Sequence, residues 1–204
     1  MAEGRTGWRV AEAPGPAVCA EVLAAAFAEE STARWICRGS DAVRGRWFAA
    51  LLRTQATVAG GRRLLVTDPD GRAVGAAVLT PPSGRPPVGA RVTWTARTLA
   101  HCGGRALTRT LRYLAVTERS APPDAWTLEF IGVRPEYAGK GAGRRLLEEL
   151  PASAPAPGGI FLTTSDTANV GLYESFGFTV TGRLRIGPLE TVAMWRAPGP
   201  PPPR

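Results

Sequence analysis

Val133-Arg134-Pro135-Glu136-Tyr137-Ala138-Gly139-Lys140-Gly141-Ala142-Gly143-Arg144-Arg145-Leu146-Leu147 is the stretch on which the reading of this chain turns. Before it, the β-branched and aromatic run Trp126–Val133 suits a buried strand. At its end, Gly143–Leu150 reads as a short helix stopped by Pro151. Between them lies a glycine-rich turn. Glycines let backbone amides approach an anion closely, and the first free N–H groups of a helix, with its dipole, favour negative charge there. The physical reading is a phosphate-bearing ligand over Gly139, Lys140, Gly141, Ala142, Gly143 and Arg144, with Lys140 and Arg144 adding formal charge. Two common phosphate loops fail on spacing. A Walker A loop needs Ser or Thr after Gly-Lys, where Gly141 stands; a dinucleotide fingerprint needs a glycine where Arg144 stands.

Outward from this turn, the hydrophobic pattern predicts a short strand at Trp8–Ala11 and a helix at Ala17–Ala28. Glu29–Ser40 reads as polar and broken around Trp35, and a second helix is expected over Asp41–Ala56 with Asp41 as its N-cap. Arg63–Thr67 and Ala73–Thr80 flank the turn Asp68-Pro69-Asp70-Gly71 as a hairpin. Helical stretches follow near Val92–Ala100 and Arg105–Thr117, the latter with Leu107, Leu111 and Leu114 aligned. After the glycine turn come a strand at Gly159–Thr164, a helix at Asn169–Phe176 ended by Gly177, and a strand pair at Phe178–Leu184 and Glu190–Trp195. This order predicts a mixed α/β sheet. One domain is expected over residues 7–197, after an N-terminal extension (1–6) and before a disordered Pro-rich tail (198–204).

Composition narrows the function classes. The chain has 204 residues, 44% hydrophobic and 21% charged, which is globular rather than disordered. A formal charge of +8 invites a nucleic-acid reading, but 24 of the 25 basic residues are arginine, scattered along the chain, and no RNA-recognition or zinc-finger pattern is present. No nucleic-acid partner is expected; positive charge also suits a polyanionic small ligand. Cys19, Cys37 and Cys102 have no metal spacing, and His101 beside Cys102 lacks a third orienting group, so neither a metal site nor a thiol nucleophile is expected. The N-terminus has no signal-peptide pattern and no stretch is long enough to span a membrane, which leads to a cytoplasmic expectation with no membrane partner.

Val133-x-Pro135 through Gly139-Lys140-Gly141-x-Gly143 to Leu146-Leu147 resembles the acetyl-coenzyme A signature of the GNAT superfamily of N-acetyltransferases. Asn169-Val170-Gly171-Leu172-Tyr173-Glu174-Ser175-Phe176-Gly177-Phe178 resembles that superfamily's second motif. Leu23-Ala24-Ala25-Ala26-Phe27-Ala28, Ala125-Trp126, Gly132-Val133 and Phe178-Thr179-Val180-Thr181 are similar to the puromycin N-acetyltransferase type.

The resemblance implies a mostly antiparallel mixed sheet of about seven strands, with helices on both faces and a splayed central pair. Acetyl-coenzyme A would be the co-substrate, with no metal. Ile131, Gly132 and Val133 would bond pantetheine and the acetyl carbonyl through the main chain, and amides of Gly139 to Arg144 would hold the pyrophosphate. Asn169 would bond pantetheine. Tyr173 would give a proton to the departing thiolate. Glu129, placed two residues before Ile131 and so on the same face, is a candidate base, or else a carboxylate in an ion pair at the sheet edge. Glu29 or Glu30 would recognise the acceptor's amine, and Trp35, Trp47 and Trp94 are candidates for an aromatic pocket, Trp47 being better suited to the core. The expected activity is acetyl transfer to a primary amine of a small molecule, such as an aminonucleoside antibiotic, by direct attack in a ternary complex of a monomer or homodimer. Ala138 stands where the family usually has Gln or Arg, Thr163 where related sequences often carry a Glu, and Asp166 in a place often held by Asn. They leave a second reading open, a catalytically silent acyl-coenzyme A sensor on the same fold.

Overall fold

The computed structural model describes residues 7–82, 84–154 and 157–199. The expected extension at 1–6 and residues 200–204 of the expected tail lie outside them. The chain runs β1 (Arg9–Glu12), α1 (Pro16–Ala26), α2 (Ser31–Cys37), α3 (Asp41–Gln55), β2 (Arg62–Thr67) and β3 (Ala73–Thr80). It continues with α4 (Val88–Cys102), α5 (Gly104–Ser120), β4 (Trp126–Val133), α6 (Ala142–Ser153), β5 (Ile160–Thr164), α7 (Val170–Glu174), β6 (Phe178–Ile186) and β7 (Leu189–Arg196). The strands form one sheet in the order β1-β2-β3-β4-β5-β7-β6. Every neighbouring pair is antiparallel except β4 and β5, which are parallel.

Strand alternation divides the core in two. Leu64 and Val66 of β2, with Trp126 and Leu128 of β4, pack under Leu146, Leu147 and Leu150 of α6. Leu65 of β2 and Ala76 and Val78 of β3 pack on the other face against α1 and α3, through Leu23, Phe48 and Leu52. Phe27, Phe48 and Phe130 meet edge to face on that side. No helix among the described residues is long and apolar enough to cross a membrane.

Four local expectations need correcting. The segment 29–40 holds a continuous helix, because the Glu30 carboxylate accepts the Ala33 N–H at 2.7 Å and Arg38, in the left-handed region at φ 57°, ends it. Ser40, not Asp41, is the N-cap of α3, its hydroxyl lying 3.4 Å from the Val43 N. Pro151 does not stop α6; in the last turn it removes one hydrogen bond, and the helix completes that turn through Ser153. The helix expected over Asn169–Phe176 is shorter. The Asp166 carboxylate accepts the Ala168 N–H and starts a 3-10 turn, Thr167–Asn169, that leaves Val170–Glu174 as α7.

Candidate active site

β4 and β5 pair only over Trp126, Thr127 and Leu128 against Ile160, Phe161 and Leu162. Past Leu128 they part, while β4 stays paired to β3 as far as Val133. The edge of β4 from Glu129 to Val133 that faces β5 has no strand partner, so an extended ligand can add to it as a strand would. Ile131, Gly132 and Val133 all lie on this stretch. Gly132 has a second reason to be glycine: a Cβ there would stand 2.8 Å from the Ala26 Cβ and from the Phe27 ring, so α1 packs directly on the strand.

The glycine turn follows the end of β4. Gly139 and Gly141 have φ of +73° and +92°, the region glycine occupies without penalty. Nothing lies within 4 Å of a Cβ built on Gly139, and the nearest atom to one on Gly141 is the Trp8 Nε1 at 3.8 Å. Gly141 is the N-cap of α6 and supplies no side chain, so the N–H groups of the first turn, Ala142, Gly143 and Arg144 among them, have no intrahelical acceptor. An open cradle with unclaimed amides and a helix N-terminus fits a diphosphate, and the parted strands fit the pantetheine arm attached to it.

Side chains brace the turn from outside. The Trp8 indole N–H donates to the Lys140 carbonyl at 3.0 Å. The Lys140 ammonium sits 5.3 Å from the Tyr137 ring centre, and the Tyr137 hydroxyl donates to Asp68 at 3.0 Å. The Arg144 guanidinium lies 5.1 Å from the Phe176 ring centre, placing its charge between α6 and α7.

Tyr173 stands on α7, buried edge-on against Phe178 with ring centres 5.9 Å apart. Burial, with the Asp166 and Glu30 carboxylates adding, pushes its hydroxyl up to about 12. The phenol therefore keeps its proton at neutral pH. Asn169 ends the 3-10 turn and donates through Nδ2 to Asp166 at 3.1 Å. Asp166, which departs from the family pattern, thus has a local task as the cap of that turn.

Glu129 is not where simple alternation puts it. Val78 pairs with Phe130 and Leu79 with Leu128, so Glu129 is the extra residue of a β-bulge. Its expected sharing of a face with Ile131 fails. Ile131 packs into the core under α6, whereas Glu129 lies near Tyr113 and Glu118 of α5. The residue is exposed on its strand, with the Thr80 hydroxyl beside its carboxyl. Loss of solvent pushes it up to about 7; the Thr80 hydroxyl opposes the rise and the Glu118 carboxylate adds to it.

Tyr113 of α5 escapes the sequence reading altogether. Its hydroxyl is 3.0 Å from the Thr163 hydroxyl, and burial pushes it up to about 12, with Glu30 and Glu129 contributing. The Thr32 hydroxyl donates to Ser165 at 2.9 Å, and Ser165 meets Thr191 at 2.8 Å, tying the start of α2 to β5 and β7. Glu30 acts on both Tyr113 and Tyr173 while one of its oxygens caps α2. No pattern signalled Tyr113: Leu107 and Leu114 of the leucine stripe pack inward as expected, but the buried face extends past them to polar positions. Leu111 is 46% exposed, and Ala106, Thr110 and Thr117 are buried beside Leu107.

Of the three tryptophans, only Trp35 borders this region. The Arg109 guanidinium covers its ring at 5.3 Å, and a Cβ on Gly187, in the β6–β7 turn, would come within 2.9 Å of its indole. Trp47 is buried with its N–H on Thr110 at 2.9 Å, and Trp94 packs with Ala50 and Leu107. Both belong to the core. Among the described residues no group of three or more His, Cys, Asp or Glu is placed to hold a metal ion.

Residues 28–178 match the model of the acetyltransferase (GNAT) family. The N-alpha-acetyltransferase RimI of Mycobacterium tuberculosis is 42% identical over 66 residues, which are 31% of this chain and 41% of that protein. The chain thus spans less than half the length of the curated relative it matches. A crystal structure of histone acetyltransferase HPA2 and related acetyltransferase from Corynebacterium glutamicum superposes with a TM-score of 0.68 at 23% identity, covering 97% of this chain and all of that one. Arylalkylamine N-acetyltransferase 2 of Aedes aegypti superposes with a TM-score of 0.62 at 13% identity, covering 94% of this chain and 99% of that one. At such identities these two likenesses speak for the fold.

Proposed function

Because the chain belongs to the acetyltransferase (GNAT) family, whose members draw their acetyl group from acetyl-coenzyme A, we propose that it acetylates a primary amine of a small molecule. An aminonucleoside such as puromycin is the first acceptor to try, which would make the protein a resistance or self-protection enzyme. The observation that carries this reading is the parting of β4 from β5 beyond Leu128, with an open glycine cradle after β4 and a protonated phenol on α7.

Each residue then has a task. Amides from Gly139 to Arg144 hold the diphosphate, and the free edge of β4 at Ile131, Gly132 and Val133 aligns the pantetheine arm. A main-chain N–H of that edge meets the charge that builds on the acetyl oxygen. Glu129, raised to about 7, is partly ionised at neutral pH and takes a proton from the acceptor's ammonium, directly or through water. The freed amine nitrogen bonds to the acetyl carbon, the carbon–sulfur bond breaks, and the Tyr173 hydroxyl gives its proton to the leaving sulfur; the proton that the nitrogen sheds on becoming an amide passes, through water, back to the Tyr173 oxygen. Glu30 and Trp35 border the acceptor's place.

The test is to incubate the chain with acetyl-coenzyme A and a panel holding puromycin, simple alkylamines and a peptide with a free N-terminus. Free thiol and a 42 Da product shift would be followed (the mass acetylation adds, roughly, by atom count). Turnover with puromycin supports the specific reading. Turnover confined to the peptide overturns the small-molecule acceptor, and tight coenzyme A binding with no turnover on any amine replaces the enzyme by the sensor.

A further inference from the structure

The hairpin of α4 and α5 (residues 88–120) carries six arginines and a single glutamate, although the arginines look scattered when the whole chain is read in line. Its inner side packs through Trp94, Leu107 and Thr110. The outer side departs from the rest of the surface in two independent ways. Val88, Val92 and Leu99, spaced four and seven residues apart on one face of α4, are 74%, 63% and 52% exposed. With Leu111 they make four of the six exposed large hydrophobics among the described residues.

The second departure is electrostatic. Arg105, Arg112 and Arg119 recur every seven residues on α5, so their guanidinium groups follow nearly one line about 21 Å long. All three are exposed, and none has an ion-pair partner among the described residues. Exposed arginines without an ion pair also occur elsewhere among the described residues, Arg9, Arg38, Arg46 and Arg183 among them, but no other helix there carries three of them at seven-residue spacing.

We infer that the outer face of the α4–α5 hairpin is a docking surface for an acidic amphipathic segment of a partner protein. Carboxylates of that segment meet the arginine row, and its apolar side chains cover Val88, Val92 and Leu99. Charge complementarity selects this occupant. A second copy of the chain would set arginines against arginines. A nucleic acid would answer the charges but has no use for four aliphatic side chains, and the hairpin shows no exposed aromatic ring for a base to stack on: Trp94 is buried and Tyr113 points to Thr163. A helix that lies in a lipid surface carries its basic and apolar faces on one cylinder, whereas here the apolar stripe stands on α4 and the arginine row on α5.

The test uses the full chain and three labelled probes: a synthetic 21-residue helical peptide with glutamate at heptad spacing and leucine between, a 20-nucleotide RNA, and phosphatidylglycerol vesicles. The expected result is saturable, salt-sensitive peptide binding. It should weaken at least tenfold both in the triple variant Arg105→Glu, Arg112→Glu, Arg119→Glu and in Val92→Ser with Leu99→Ser. Melting curves check that both variants fold, and the single change Arg112→Gln, expected to weaken binding a few-fold, stands in should the triple one unfold. Peptide binding indifferent to these changes, no peptide binding at all, or tighter binding of RNA or vesicles overturns the inference. A concentration-dependent dimer dissolved by Val92→Ser with Leu99→Ser overturns it in favour of self-association.

Discussion

At the scale of single residues, the site is built from two groups whose surroundings both raise them, which brings Glu129 toward neutrality and makes Tyr173 a weaker acid than a free phenol. Burial pushes Tyr173 up to about 12, and loss of solvent around its carboxyl pushes Glu129 up to about 7. Tyr173→Phe should lower kcat by about 100-fold or more, the usual size of a lost acid–base partner, while coenzyme A affinity measured by calorimetry stays close to that of the parent. Activity should fall as the medium is acidified through about pH 7, and Glu129→Gln should remove that limb along with most of the rate. The same residue carries a stability signature. Its folded value lies above the ordinary 4.5, so its contribution is complete below about 4.5 and is lost as pH rises through about 7. Glu129→Gln should therefore melt above the parent at pH 8 and level with it near pH 4.5, as a thermal scan at both values would reveal. That Glu129 sits on the strand could be read from the sequence; that it faces α5 could not, since a one-residue bulge reverses the alternation on which such a reading depends.

At the scale of elements, the phosphate turn depends on parts far away in sequence. Trp8, before β1, holds the Lys140 carbonyl, and Asp68, between β2 and β3, holds Tyr137. Trp8→Phe removes one hydrogen bond, worth about 1 kcal/mol. It should weaken coenzyme A about fivefold while leaving the affinity for an acetylated pantetheine lacking the diphosphate unchanged; parallel titrations with the two ligands separate the effects. Gly132→Ala tests the contact of α1 with β4. Its methyl would meet Ala26 and Phe27 at 2.8 Å, an overpacking that should cost about 1–3 kcal/mol in chemical denaturation. Strands and the glycine turn were legible because period-two patterning and glycine spacing are local signals. The helix α2 was not. Its cap is a glutamate, a residue that rarely announces a helix start, and its identity as a cap becomes visible only in the bond from the Ala33 N–H.

On the scale of the whole molecule, the sheet carries the site at its one parallel junction, and ligand binding there ties both halves together. β1 to β4 lie on one side of the wedge and β5 to β7 on the other, joined across it by only three residue pairs between β4 and β5. A ligand filling the wedge bridges both sides. At 100 times its dissociation constant, coenzyme A should stabilise the fold by about 2.7 kcal/mol, raising the melting temperature by about 5–10 °C for a chain of this size. Scanning fluorimetry against coenzyme A concentration measures this, and no shift at saturation would contradict binding in the wedge.

The sequence by itself determined the order of the strands and of every helix but α2, the glycine turn with its strand before and helix after, and the pair of motifs that mark the family. These are written in residues close along the chain, where periodicity, turn chemistry and spacing act directly. Only the tertiary structure decided which face Glu129 presents, that Tyr113 and Tyr173 both feel the Glu30 carboxylate, and that Trp47 and Trp94 belong to the core. It also decided that Val88, Val92 and Leu99 of α4 stay exposed rather than packing into the core. The reason is physical: side-chain direction across a sheet, the rotation of a helix about its axis and the neighbours brought in from distant segments are settled by how the layers pack, and packing is a property of the folded chain as a whole.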